Sequence, residues 1–118
     1  MSNPRFHPNS FTDEPLAFGK AQVIKWKDAP PQDADRLLAA QIQHSLACLI
    51  SKQARAKYGS LRAYAETAGL NYDRLVKVLR GEHLLRLEDL AAAERHIGHI
   101  VTETFQSSVP RPQNQRPA

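Results

Sequence analysis

The chain has 118 residues, 42% of them apolar and 24% charged, with a net charge of +4 and one cysteine. This length suits a single domain, the lone Cys48 excludes an internal disulfide, and no apolar run is long enough for a membrane span or a signal-peptide core. A soluble protein of the reducing cytoplasm is expected, with a polyanion as its most natural partner.

Met1 to Pro15 is rich in proline, asparagine and scattered polar groups. It cannot bury enough apolar surface to order itself and is expected to be a disordered tail; Phe6 and Phe11 are its only docking side chains. Ala21 to Lys27, AQVIKWK, alternates partly, with Ile24 and Trp26 on one side of a short strand and Lys25 and Lys27 on the other. A lone strand is not stable, so a partner is expected in His99 to Phe105, HIVTETF, paired within the chain or between two chains. The alternative is that both segments are irregular, with Trp26 tucked against helices. Pro30 and Pro31 mark a linker, and Asp28 or Asp33 is placed to cap a helix. That helix is expected from about Ala34 to Lys57, with Leu38, Ile42, Leu46, Leu49 and Ile50 as its buried stripe. Cys48 beside the stripe reads as a small core or flank residue rather than a reactive thiol.

Leu61 to Gly81, LRAYAETAGLNYDRLVKVLRG, is the centre of the chain. The pattern predicts a helix from Leu61 to Ala68 capped by Ser60, a turn at Gly69, and a second helix from about Tyr72 to Leu79 capped by Asn71. Gly69 suits a turn that needs positive φ. Leu75, Val78 and Leu79 share one face of the second helix, and Leu61, Tyr64, Ala65 and Ala68 form the matching stripe of the first. Two helices this short must pack on a neighbour to persist. After a loop over Glu82 to Leu85, a closing helix from about Leu87 to His96 is expected to bury Leu87, Leu90, Ala91 and Ile97, with Gly98 stopping it. Gln106 to Ala118 reads as a second disordered tail, which leaves 16–105 as the one folded domain.

The central stretch resembles the helix-turn-helix of the Cro and phage-repressor (XRE-like) family of DNA-binding domains. Ala65 matches the small residue of the first motif helix, Gly69 the turn glycine, and Leu70, Leu75 and Val78 the buried apolar positions. Arg80-Gly81 matches the end of the recognition helix, and LRLEDLAAAERHIG resembles the helix that closes the fold. The match covers roughly 37–98. It departs at Leu61, where the family often has a phosphate-gripping Gln, and at Leu85 and Arg86, where Pro and then Ser or Thr are common. The resemblance implies a mainly α, compact bundle around a central helix-turn-helix, flanked here by the short two-stranded element near 21–27 and 99–105.

The outward face of the second motif helix is polar and mostly cationic: Asp73, Lys77 and Arg80, with Arg74 and Val76 on its flanks. An α-helix fits the major groove, where its exposed side chains reach base edges. Lys77 is the expected central base reader, as a donor to guanine, with Arg74 and Asp73 beside it and Tyr72 at the core edge. Backbone phosphates are expected to meet Arg62, Arg80, His83, Arg86 and Lys57. One module touches too little DNA for strong discrimination, so a homodimer on a palindromic operator is expected. The function this implies is a sequence-specific double-stranded DNA-binding regulator, a repressor in its simplest form, bacterial or phage-encoded and associated with the nucleoid when bound, with no cofactor.

Two other classes compete. His96-x-x-His99 has the spacing of metal ligands, but Gly98 breaks the helix between them and no third ligand is fixed by spacing, so no metal is expected. No phosphate loop, nucleophile elbow or carboxylate pair suggests an enzyme. The remaining alternative is an antitoxin-like interaction module that uses the same fold to engage a protein, such as a toxin or a polymerase subunit.

Overall fold

The local signals in the chain are answered by local structure. The computed structural model describes residues 6–101, and within them the protein is mainly helical with no sheet. Helix α1 spans Ala34–Tyr58, α2 Leu61–Ala68, α3 Tyr72–Leu79 and α4 Leu87–His96. Ser60 Oγ accepts from the Ala63 amide at 3.0 Å and Asn71 Oδ1 from the Arg74 amide at 2.9 Å. Each side chain satisfies one of the free N–H groups that a helix start leaves. Gly69 follows α2 in the left-handed region at φ 71°, and the Leu70 amide returns to the Ala65 carbonyl at 2.8 Å. Helix α1 begins at Asp33, whose side chain makes no capping bond.

Tyr64 and Ala65 of α2 and Leu75, Val78 and Leu79 of α3 are buried together, as their spacing predicts. The floor beneath them is the expected one only in part: Ile50 is buried and Leu46 and Leu49 pack against the core. Leu38 and Ile42 of α1 are 56% and 53% exposed. Besides Ile50, the buried face of α1 is made by Ala40, Gln43, His44, Ala47 and Ala54. Three alanines seven residues apart line that face, which suits the close approach of neighbouring elements. Gln43 and His44 can be buried because every polar atom they bring finds a partner. The closing helix keeps part of its expected face, since Leu90 and Ile97 pack against the core, but Leu87 is 82% exposed, Ala91 is exposed, and Ala93 is the buried residue of α4. Leu90 and Ile97 are only partly covered.

The N-terminal segment also differs from expectation. Residues 6–15 pack on the helices instead of trailing as a tail. Pro8–Phe11 and Pro15–Ala17 form short 3-10 turns, and Pro8 and Thr12 are buried. The chain then buries Phe18 and Ile24, with Phe18, Trp26 and His44 meeting edge to face at 5.2–6.2 Å between ring centres. His44 Nδ1 accepts from the Gly19 amide at 2.8 Å, so its ring proton sits on Nε2, which faces the Gln22 carbonyl at 3.3 Å. Ile24 and Trp26 do point inward while Lys25 and Lys27 are exposed. The neighbour of this stretch, however, is Thr12, in one isolated antiparallel bridge with Trp26. His99 and Ile100 bend, with His99 at φ 62°, rather than extending as a strand. The remainder of that expected strand, 102–105, and the expected tail at 106–118 lie outside the described residues.

Candidate nucleic-acid interface

The two caps and the buried apolar stripe fix which side of α3 faces outward. Asp73, Lys77 and Arg80 are exposed on it, and Tyr72 and Val76 are half-buried beside them. Lys77 has no carboxylate within 4.0 Å among the described residues, and Arg80 has only Glu82, at 3.9 Å between two exposed side chains. So loose a surface pair leaves Arg80 free to engage an anion. The Arg62 guanidinium lies 4.2 Å from the centre of the Tyr72 ring, a cation–π contact that joins the start of α2 to the start of α3.

Arg74 does not belong to the outward set. Its guanidinium grips Asp89 of α4 with two parallel hydrogen bonds of 2.8 and 2.9 Å. Asp89 Oδ2 also accepts from the Arg86 amide at 2.7 Å, capping α4. Burial alone would push the Asp89 carboxyl up, but the Arg74 bonds, the Arg86 amide and the two positive charges together hold it below its ordinary value. Arg74, expected as a base reader, is therefore a brace between α3 and α4. A bidentate pair of this kind fixes orientation as well as adding energy.

Gln43 makes the second brace. Its Nε2 donates to the Val78 and His83 carbonyls, both at 2.9 Å, and its Oε1 accepts from the Leu85 amide at 2.9 Å. One buried amide thus holds the end of α3, the following loop and α1 together. His83 takes part through its backbone, with a partly exposed side chain, while Arg86 is exposed at the head of α4. Lys57 is placed elsewhere. Its Nζ donates to the His96 carbonyl at 2.7 Å, alongside the Tyr58 hydroxyl at 2.6 Å. It serves the C-terminal end of α4, not the face of α3 for which it was expected.

A group of cations beside α3 goes beyond the expected set. A cleft of ≈ 500 Å³ is lined by Lys20, Lys52, Arg55 and Arg80, with no acidic residue in its walls. Lys52 and Arg55 belong to a basic stretch, Lys52 to Arg62, that contains no acid and is visible in the sequence. The place of Lys20 is not, because a distant loop brings it there. Cys48 sits at the same cleft, and burial pushes its thiol up, which suits a quiet flank residue. Among the described residues no group of three His, Cys, Asp or Glu is placed to hold a metal ion, and no helix is long and apolar enough to cross a membrane. No protein-family model, curated protein or solved structure gives a significant match to the chain.

Proposed function

We propose that the protein is a sequence-specific double-stranded DNA-binding regulator, built on a helix-turn-helix at α2–α3 and reading the major groove with α3. The observation that carries this reading is the exposed Asp73–Lys77–Arg80 face, held on a helix braced at both ends: Asn71 and Arg74 at its start, Gln43 at its finish. A groove-reading helix must present its side chains without moving, and these braces supply that rigidity. Lys77 donates to guanine edges, Asp73 accepts from cytosine, and Arg62, Arg80 and Arg86 meet phosphates. A two-fold dimer would place two such helices about 34 Å apart on a palindromic site.

Selection of sites from random duplexes tests this directly. A palindromic consensus is expected. Lys77→Ala should then weaken binding by about 1–3 kcal/mol and relax the preference at one base pair, while Arg86→Ala should weaken all sequences alike and lower the salt slope by about one unit. Recovery of no consensus, or indifference of a recovered site to both changes, would overturn the assignment. The antitoxin-like reading finds support in Leu38 and Ile42, exposed one turn apart on α1. Tight capture of one protein, with DNA bound only at very low salt, would favour it.

A further inference from the structure

We propose that the cleft between α1 and α3 is a binding site for a small organic anion with a flat apolar body. Its rim and its floor have different chemistry. The rim carries Lys20, Lys52, Arg55 and Arg80 and no carboxylate. Among the described residues none of the first three has an ion-pair partner. The floor is apolar and partly aromatic, offered by the half-buried Val76 and Tyr72 over the buried Phe18 and Leu79. An inorganic anion would leave that floor wet, and a neutral apolar molecule would desolvate the cations with nothing in return. A ligand with both parts satisfies both surfaces. The ≈ 500 Å³ volume lies within the usual range for small-molecule sites.

The walls are also preformed. Lys52 and Arg55 project from consecutive turns of the long helix α1. The back of the cleft is closed where the Gly19 backbone meets the end of α3, so closely that an added Cβ would lie 2.1 Å from the Leu79 oxygen. Occupancy would touch Tyr72, Val76 and Arg80 of the helix that carries Lys77. If α3 reads DNA, the ligand and the duplex compete for Arg80, and each changes the affinity of the other by the same factor. Ligand binding itself does not depend on the DNA reading, and its test needs no DNA.

The probe is 8-anilinonaphthalene-1-sulfonate, titrated into the full chain and followed by fluorescence, with neutral N-phenyl-1-naphthylamine as its uncharged counterpart. Saturable binding at one site is expected, and the neutral compound should bind markedly less well. Lys52→Ala with Arg55→Ala should weaken the sulfonate roughly tenfold by removing two surface charge contacts. Both side chains are exposed, so the melting curve should not move. Val76→Trp should fill the cleft and abolish binding, and Leu38→Ala, at a distant exposed apolar site, should change nothing. Equal binding of the two probes, indifference to the double variant, or loss in Leu38→Ala instead would overturn the proposal. So would absence of sulfonate binding, including the case in which the double variant weakens duplex binding and the cleft merely follows a DNA phosphate.

Discussion

The α2–α3 pair and the N-terminal segment over 6–26 are comparably well packed, yet they are held by different kinds of interaction. In α2–α3 the contacts that set the helix bounds join residues close in sequence: Ser60 with Ala63, Asn71 with Arg74, and Ala65 with Leu70. In the N-terminal segment they span the chain. The Asn9 amide donates to the Gly81 carbonyl at 2.9 Å, and the His7 ring donates to the Glu82 carbonyl at 2.8 Å. Gly19 fits between His44 and the Leu79 carbonyl. Locally encoded structure can be read from a sequence; structure assembled by distant backbone groups leaves little trace in composition.

The largest effect should come from Gly19→Ala. Its φ of +74° disfavours any side chain, and the new methyl would run into the Leu79 carbonyl. A loss of at least about 3 kcal/mol is expected from backbone strain and overpacking together. Hydrogen exchange should show the Asn9 and Lys27 amides losing protection first, with Leu75 and Arg80 retaining theirs. Loss of both sets together would show that the two regions form one cooperative unit.

Gln43→Leu comes next, at about 2–3 kcal/mol, because the partly buried His83 carbonyl and Leu85 amide lose their side-chain partner and the Val78 carbonyl is left with the Gly81 amide alone. It should loosen the 82–86 loop more than α2, and denaturant unfolding with exchange at the Leu85 amide would record it. Asn71→Ala should remove about 1 kcal/mol by uncapping α3, measured as a shift of the unfolding midpoint, and should leave the N-terminal segment unaffected.

The smallest effect is a pH dependence. Asp89 is held below its unfolded value, so its contribution is complete above about pH 4, the ordinary carboxylate range, and is lost as pH falls through the lowered folded value. The stability advantage of the wild-type chain over Asp89→Asn should therefore shrink on acidification. A constant difference would remove the ion pair from the set of braces.

The same contrast accounts for what the sequence could and could not convey. The bounds of α2, α3 and α4 follow from caps, a turn glycine and apolar spacing, and they are legible. The buried face of α1 is legible only at its apolar C-terminal part, around Ile50; hydrophobicity ranks Leu38 and Ile42 above Gln43 and His44, whose burial depends on backbone partners far along the chain. Within the candidate interface, the exposure of Asp73, Lys77 and Arg80 follows from helical angle alone. The engagement of Arg74 by Asp89 and of Lys57 by the His96 carbonyl does not, since both depend on where α4 lies. Lys20 reaches the basic cleft only through the folding of the N-terminal segment.

The Arg74–Asp89 brace also limits how this surface can diversify. Asp73 and Lys77 are exposed and make no ion pair among the described residues, so these sites are open to change by mutation or by design. Position 74 is constrained, because altering it would remove the two-bond tie between α3 and Asp89 of α4. A library aimed at new binding preferences should randomise the first two sites and hold the third constant.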